Sequence, residues 1–331
     1  MKHPAYQLRP NKAIDRALLL KVIEIMDSKL CDLSNHTYIG FGGPFLDDMR
    51  LISQRFPQLS YVSIERDEDT HKRQRFHCNS KRLRFVHSTL DTYLKHGFRS
   101  DTLSIFWLDY VDDTSPSVLE EFAEVIELVG CPSIVKVTVR AQFDHTLVDA
   151  ARNFLNDEEA DKIKQAQIGD IQRKFDDYLD REIREDDLEA QQFAAVVQLM
   201  FRVVAQRTLP SLAGKVFQLV HSCRYADGPQ MLTLTGVVCE TSKRKEIMRA
   251  YQKWSHANLD WKEPYHIDVP NLSLKERLLL EKHLPAFKGT GKALQRCLGY
   301  MIDENPSASE RKLRQYQDFY RFYPMFAKIR L

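Results

Sequence analysis

Cysteine is scarce in this sequence, and its spacing shows no metal or disulfide pattern. The 331 residues include six cysteines, with no C-x-x-C pair and no His at zinc-ligand spacing. Neither a disulfide framework nor a zinc site is therefore indicated. We expect buried or surface thiols of the kind that cytosolic proteins carry, and no metal ligand.

Long hydrophobic runs are also absent. The longest candidates, such as residues 103–108, stop far short of the roughly 18 uncharged apolar residues that a membrane-spanning helix needs. Residues 1–15 carry charge and proline rather than a basic segment followed by an apolar one, so we expect no secretory signal. No internal repeat or low-complexity tract stands out. The sequence thus predicts a cytoplasmic protein without a membrane partner.

The composition that remains is that of a globular protein with an uneven charge distribution. Hydrophobic residues make up 43% and charged residues 28%, enough to build a sizeable core. Residues 242–331 contain 18 Lys and Arg against 10 Asp and Glu, whereas the whole chain has a net charge of only +2. The last quarter of the chain is therefore basic and the rest acidic.

Short β-branched runs alternate with amphipathic stretches between residues 35 and 140, as expected of a parallel sheet built from βαβ units. The five predicted strands are Thr37–Phe41, Tyr61–Glu65, Arg84–His87, Leu103–Asp109 and Ile134–Arg140. Ahead of them, residues 13–30 have apolar side chains at helical spacing. We therefore expect an N-terminal helical cap over residues 1–34.

The second half of the predicted core ends in an antiparallel hairpin. Residues 216–225 and 231–240 are β-rich and are joined by a short turn at 226–229. A long helical insertion, residues 144–210, precedes them. The prediction is an α/β, Rossmann-like, doubly wound, seven-stranded mixed sheet over residues 35–241, with five parallel strands and the hairpin. A basic helical extension follows over residues 242–331.

A glycine-rich turn follows the first predicted strand, in the segment GFGGPF at residues 40–45. Glycines there let a ligand approach the backbone closely. Glu65 stands at the end of the second strand, 25 residues after Gly40, near the spacing of an acid that binds ribose hydroxyls. The alternative for Glu65 is a strand-end ion pair with Arg66. An NAD-linked oxidoreductase is a further alternative, disfavoured by the hairpin.

Polar residues also end the third and fourth predicted strands. Ser88 and Thr89 follow the third strand, and Asp109 and Tyr110 end the fourth. A carboxylate at the carboxyl end of a central strand faces the ligand crevice of an open α/β sheet. Residues 112 and 113 are also aspartates, which raises a magnesium site as an alternative to an ordinary helix N-terminus.

Taken together, the segments TYIGFGGPF, YVSIE, FVHSTL and IFWLDY resemble motifs I to IV of class I S-adenosylmethionine (SAM)-dependent methyltransferases. The resemblance covers about residues 35–240 and extends to bacterial proteins described as putative O-methyltransferases. It implies SAM as the cofactor, a contact of Thr89 with adenine, for which Asp91 is the alternative, and Asp109 beside the methionine amino group or the nucleophile. The implied cofactor-binding residues are Gly40, Gly42, Gly43, Glu65, Arg66, Ser88, Thr89 and Asp109, and the implied catalytic residues are Asp109 and Tyr110.

The implied reaction is methyl transfer to an oxygen or nitrogen nucleophile, for which one general base suffices; His145 and His221 are alternative bases. Two positions depart from motif I: Tyr38 replaces its acidic residue, and Pro44 its last glycine. They favour the alternative of an inactive methyltransferase-like module that binds SAM, a nucleotide or a macromolecule. In the basic extension, aromatic residues between cations indicate either nucleic-acid binding or a helix stripe packed on a core. The methyl acceptor is not identified by the sequence.

Overall fold

The computed structural model describes residues 9–78, 80–210, 214–284 and 289–324, except for the side chains of residues 112 and 113. The chain divides into two compact units. The larger unit comprises Val22–Arg224 and Pro229–Tyr265, and the smaller comprises Met1–Lys21, Tyr225–Gly228 and His266–Leu331. The domain boundaries drawn from the sequence, at residues 34 and 241, stay a prediction.

The central feature is a mixed sheet with the strand order β3-β2-β1-β4-β5-β7-β6-β8. Strands β1 to β5 are parallel, and β7 pairs with β5 in the antiparallel direction. This confirms the α/β class, the five parallel strands and the hairpin. The strands are β1 (Thr37–Gly40), β2 (Ser60–Glu65), β3 (Leu83–His87), β4 (Ser104–Asp113), β5 (Ser133–Arg140), β6 (Lys215–Ala226), β7 (Gln230–Glu240) and β8 (Tyr265–Ile267).

The predicted number of seven strands is wrong, because the sheet has eight. The additional strand, β8, is three residues long and follows Pro264. A segment of this length is too short to show the alternation of apolar and polar residues that indicates a strand. Its pairing beside β6 also depends on where the chain returns in space.

Helices connect the parallel strands. Strand β4 is preceded by α1 (Pro10–Lys29), α2 (Asp47–Arg55), α3 (Glu68–His77) and α4 (Leu90–His96), and later helices are α5 (Pro116–Leu128), α6 (Thr146–Phe154), α7 (Asp157–Phe175), α8 (Ala190–Thr208), α9 (Arg244–Tyr251), α10 (Leu274–Glu281), α11 (Gly291–Leu298) and α12 (Pro306–Phe319). Side chains of Asp67 and Asn156 cap α3 and α7 by accepting backbone N–H groups, as short polar residues favour. Among the described residues, no helix combines the length and apolarity needed to cross a bilayer.

The helices between β5 and β6 have different packing. Helix α8 lies in the main core of the larger unit, where Phe201 meets Phe122 of α5 edge to face at 5.1 Å. Helix α6 and the start of α7 form a small separate cluster around Val148, Ala151 and Ala160. The later part of α7 returns to the main core, where its Ile168 and Phe175 are buried. The predicted insertion therefore joins the core through α8 and the end of α7 and adds a separate cluster at α6 and the start of α7.

In the smaller unit, aromatic residues of α12 and of the segment just after it are buried. Tyr316, Phe319 and Tyr323 are at most 5% exposed. The hydroxyl of Tyr316 donates to Glu281 of α10 at 2.6 Å, and Glu281 also pairs with Arg277 at 3.1 Å. For these three aromatic residues, the packing interpretation of the sequence is confirmed.

Strand order decides where a ligand can bind in the larger unit. Strands β1 and β4 are neighbours, but the chain leaves β1 toward β2 and β3 before it returns to β4. At such a switch point, the connections diverge to either side and leave a crevice beyond the carboxyl ends of the strands. The candidate site therefore lies at the ends of β1 and β4, with β2 and β3 alongside.

Candidate functional site

The turn after β1 takes a backbone conformation that glycine favours. Gly42 and Gly43 have φ angles of +68° and +56°. A Cβ on Gly42 would lie 2.7 Å from Ser63 Oγ and 2.9 Å from Leu46 Cδ2, whereas a Cβ on Gly43 would have nothing within 4 Å. The turn is thus tight on one side of the backbone and open beside Gly43, where a ligand has room.

The turn is fixed in place by a polar side chain from α3. Gln74 is fully buried, and its Nε2 donates to the carbonyl oxygen of Phe41 at 2.9 Å. Its Oε1 accepts the hydroxyl of Ser63 from β2, also at 2.9 Å. Gly43 N–H donates to the same Phe41 carbonyl at 2.8 Å. These bonds satisfy the buried polar groups of the turn and hold its shape.

Tyr38 occupies the position where motif I has an acidic residue, and the fold brings a carboxylate to it. Its ring is fully buried, and its hydroxyl donates to Asp48 Oδ2 at 2.7 Å. The hydroxyl lies 3.5 Å from the position that a Cβ on Gly40 would occupy. Asp48 belongs to the first turn of α2, together with Asp47. A negative charge therefore stands beside the glycine turn although position 38 has none.

Glu65 and Arg66 follow at the end of β2. The half-buried carboxylate of Glu65 accepts the backbone N–H of Asp67 at 2.9 Å, and burial raises the pKa of Glu65. Arg66 is exposed, and its carbonyl oxygen lies 3.1 Å from Nε2 of His87. A partly desolvated carboxylate of this kind gains from hydroxyl donors that a ligand brings.

Ser88 and Thr89 lie at the end of β3, beside Glu65. The backbone N–H of Ser88 donates to the Glu65 carbonyl at 3.0 Å. Thr89 is the N-cap of α4, and its Oγ1 accepts the N–H of Thr92 at 3.2 Å. This capping bond gives Thr89 a structural role. Its contact with adenine stays a prediction.

Asp109 and Tyr110 point to opposite faces of β4. Asp109 shares the face of Trp107, which pairs with Gly40 of β1. The hydroxyl of Tyr110 donates to Glu121 of α5, and burial together with that carboxylate raises the pKa of Tyr110. Its ring lies edge-on to Phe41 at 5.4 Å. Asp109 thus shares the face of Gly40, the first residue of the glycine-rich segment, while Tyr110 contacts Phe41 on the opposite face and its phenol is held by α5.

The ends of four neighbouring strands bring together every residue that the sequence assigns to the site. In spatial order they are Ser88 and Thr89 just after β3, Glu65 and Arg66 at the end of β2, Gly40 to Gly43 at the end of β1 and in the turn after it, and Asp109 and Tyr110 within the last half of β4. The individual roles of these residues stay predictions.

A sequence model of the protein family described as "Putative O-methyltransferase" matches residues 4–331. The chain belongs to this family. None of the curated proteins compared with it matches.

Several solved methyltransferase structures resemble this family member distantly. The plantazolicin methyltransferase BamL, in complex with a triazolic desmethylPZN analog and SAH (S-adenosylhomocysteine), is 10% identical, with 70% of this chain and 87% of that chain covered and a TM-score of 0.44. Trm1 from Pyrococcus horikoshii with SAM is 12% identical, with 72% and 58% covered and a TM-score of 0.43. A SAM-dependent methyltransferase from Aquifex aeolicus is 9% identical, with 71% and 94% covered and a TM-score of 0.40.

His221 and His145, the alternative general bases of this putative O-methyltransferase, lie in surroundings that differ from each other. His221 is buried, its Nδ1 lies 2.7 Å from the carbonyl oxygen of His256, and burial lowers its pKa to about 3. A neutral, buried imidazole of this kind is a poor proton acceptor. His145 is the N-cap of α6, with its ring 4.7 Å from that of Phe143.

In the described part of the chain, no group of three His, Cys, Asp or Glu side chains could hold a metal ion. The side chains of residues 112 and 113, which raised magnesium as an alternative, lie outside the described part.

Two site residues were missed by the sequence analysis, namely Asp48 and Gln74. Asp48 lies ten residues after Tyr38, and Gln74 lies 33 residues after Phe41. The two consecutive aspartates that follow the glycine turn could have indicated Asp48. Gln74 had no signal, because a glutamine within a basic helix resembles a solvent-exposed residue.

Proposed function

We propose that this protein is a SAM-dependent methyltransferase that transfers a methyl group to an oxygen or nitrogen nucleophile. The observation that carries the proposal is the turn after β1, where two glycines with positive φ leave open space and two acids begin the next helix. Membership in the O-methyltransferase family supports the same reaction.

The start of α2 favours SAM over a dinucleotide. A pyrophosphate binds where free N–H groups and the positive end of a helix dipole meet a negative charge. Helix α2 begins instead with Asp47 and Asp48, whose charges oppose an anion at that place. The methionine part of SAM carries a sulfonium and an ammonium group, which these carboxylates attract. These carboxylates would repel the pyrophosphate of NAD, so the start of α2 disfavours the NAD-linked alternative.

The residues present fit SAM in kind as well as in charge. The open side of Gly43 has room for the ligand, and Glu65 at the next strand end offers a carboxylate to ribose hydroxyls. When bound, SAM supplies a methyl group on an electrophilic sulfonium. Asp109, on the same face of the sheet as Gly40, accepts the proton of the acceptor. Tyr110 orients the end of β4 through its bond with Glu121.

Removal of the Glu65 carboxylate tests the cofactor site. We expect Glu65→Ala to weaken SAH affinity by about tenfold or more, because hydrogen bonds to a charged group contribute about 1.5–3 kcal/mol. The measurement is calorimetric titration of the purified protein with SAM and SAH.

Glu68→Ala is the matched control for that titration. Glu68 lies three residues further on, in the first turn of α3, and its side chain is 68% exposed and paired with Lys72. It is expected to leave SAH affinity unchanged. Unchanged affinity in Glu65→Ala would refute the ribose assignment, and no SAM or SAH binding by the unaltered protein would refute the proposed function.

We further propose that Asp48 replaces the missing acidic residue of motif I. Asp48→Asn keeps an oxygen that the Tyr38 hydroxyl can bond to, but it removes the negative charge beside the glycine turn. We expect SAM affinity to fall about fivefold or more, since the charge attracts a cationic ligand in a partly buried site. Asp47→Asn, which removes the same charge from the same helical turn, is the control. Equal losses of SAM affinity in both variants would mean that SAM responds to the total charge at the N-terminus of α2 and not to Asp48 in particular.

A further inference from the structure

A basic segment of the chain remains outside the proposed methyl-transfer site. Residues 70–89 contain six Lys and Arg and three His, and no Asp or Glu. The chain as a whole has a net charge of only +2, so this segment is a local concentration of positive charge. It covers most of α3, the following loop and β3, the edge strand of the parallel half of the sheet.

The outward face of α3 combines these cations with an exposed aromatic ring. Phe76 is 83% exposed, a large value for a phenylalanine. Lys72 and Arg73 precede it by four and three residues and therefore share its face of the helix. Arg75 is exposed beside them, while Gln74 turns inward to the glycine turn. We call Lys72, Arg73, Arg75 and Phe76 the α3 surface.

The α3 surface continues into further aromatic rings beside the glycine turn. The guanidinium of Arg73 lies 5.0 Å above the ring of Phe45, which is the residue after Pro44. His77 lies between two phenylalanines, 5.2 Å from Phe45 and 5.2 Å from Phe76. Rings and a planar cation thus follow one another in a row. Phe76 is the most exposed ring of this row and offers a flat face on which a planar group can stack.

The cations of this surface are largely available to an external anion. Lys72 is the exception, because it pairs with Glu68 at 2.8 Å and with Asp69 at 4.0 Å. For the described residues, the ion pairs of the structure include none between an acidic side chain and Arg73 or Arg75. Positive charge that is not neutralised within the protein attracts a polyanion over a distance set by the ionic strength.

We propose that the α3 surface binds single-stranded nucleic acid. Its cations contact the phosphate backbone, and Phe76 stacks on an unpaired base, a combination that recognises single strands with little sequence preference. A duplex keeps its base faces stacked inside and would leave Phe76 unused. The inference goes beyond the proposed methyl transfer, because it concerns binding in the absence of SAM.

The first test is fluorescence anisotropy of a labelled 20-nucleotide oligouridylate titrated with the full-length protein without SAM. We expect binding at 50 mM KCl that Phe76→Ala weakens about tenfold, as the loss of one stacked base does. Phe154→Ala is the matched control, because Phe154 is 85% exposed on α6, in an acidic part of the chain. It is expected to bind like the unaltered protein. Because both phenylalanines are exposed, we expect both variants to have the melting temperature of the unaltered protein. That result will show that both variants fold.

The second test separates phosphate contacts from stacking. The double variant Arg73→Ala with Arg75→Ala is expected to reduce the slope of log affinity against log salt concentration by about 1.4. Arg152→Ala with Arg173→Ala removes the same net charge from α6 and α7 and is expected to leave the slope unchanged. Absence of oligouridylate binding, equal effects of the phenylalanine variants, or binding to phosphatidylserine vesicles but not to oligouridylate would each overturn the proposal.

Discussion

Gly42→Ala is expected to abolish measurable SAH binding and to lower the free energy of unfolding by about 2–5 kcal/mol. A left-handed backbone costs a residue with a side chain about 1–2 kcal/mol, and forcing a methyl group into a filled space costs about 1–3 kcal/mol. At Gly42, φ is +68° and the new Cβ would lie 2.7 Å from Ser63 Oγ. Calorimetric titration with SAH and urea unfolding followed by circular dichroism measure the two effects.

Gly43→Ala and Gly169→Ala distinguish loss of the site from loss of the fold. Gly43 has a φ of +56° but open space, so its variant is expected to cost only about 1–2 kcal/mol while its methyl group intrudes on the ligand. Gly169 lies within α7 with nothing near its missing side chain, and its variant is expected to gain about 0.5–1 kcal/mol with unchanged SAH affinity. A folded Gly43→Ala variant with full SAH affinity would rule out the turn as the cofactor site.

Asp109→Asn is expected to lower kcat for methyl transfer by about a hundredfold to ten-thousandfold, the usual contribution of a general base. Tyr110→Phe is expected to lose less than about tenfold, since its hydroxyl is already bonded to Glu121 on the other face of β4. The measurement is transfer of a radiolabelled methyl group from SAM to cellular RNA, protein and metabolite fractions, compared between variants in the fraction that the unaltered protein labels.

The SAH affinity of the same two variants completes the assignment. An Asp109→Asn variant with near-normal kcat but weak SAH binding would place Asp109 at the methionine end of the cofactor instead of at the acceptor. A large loss of kcat in Tyr110→Phe would contradict the positioning role of Tyr110. Labelling of no fraction by the unaltered protein, despite tight SAH binding, would favour the inactive methyltransferase-like module.

The location of the site could be predicted from the sequence because strand ends have a local signature. Buried β-branched runs end where polar or glycine residues begin, so most predicted strand boundaries lie within one or two residues of those in the structure. The fourth strand was predicted to end at Asp109 but continues to residue 113. The register with β5 shifts within this stretch, and its acidic residues look like a loop in the sequence.

The partners of the site residues could not be predicted in the same way. The carboxylate that Asp48 brings to Tyr38 and the amide that Gln74 brings to Phe41 come from helices, not from the strands that carry the motifs. Which residues of a helix reach a strand depends on the rotation of the helix and its distance from the sheet. Periodicity predicts a buried face but not these contacts.

The succession of strands and helices along the chain, the glycine turn after β1 and the polar residues near the strand ends were determined by the sequence alone, because each depends on residues that are neighbours along the chain. The tertiary structure decided which carboxylate stands beside the turn, which face of β4 Asp109 and Tyr110 occupy, and that Phe76 is exposed among cations while Tyr316 is buried. Those outcomes depend on contacts between elements distant along the chain, where packing selects one partner among several of similar chemistry.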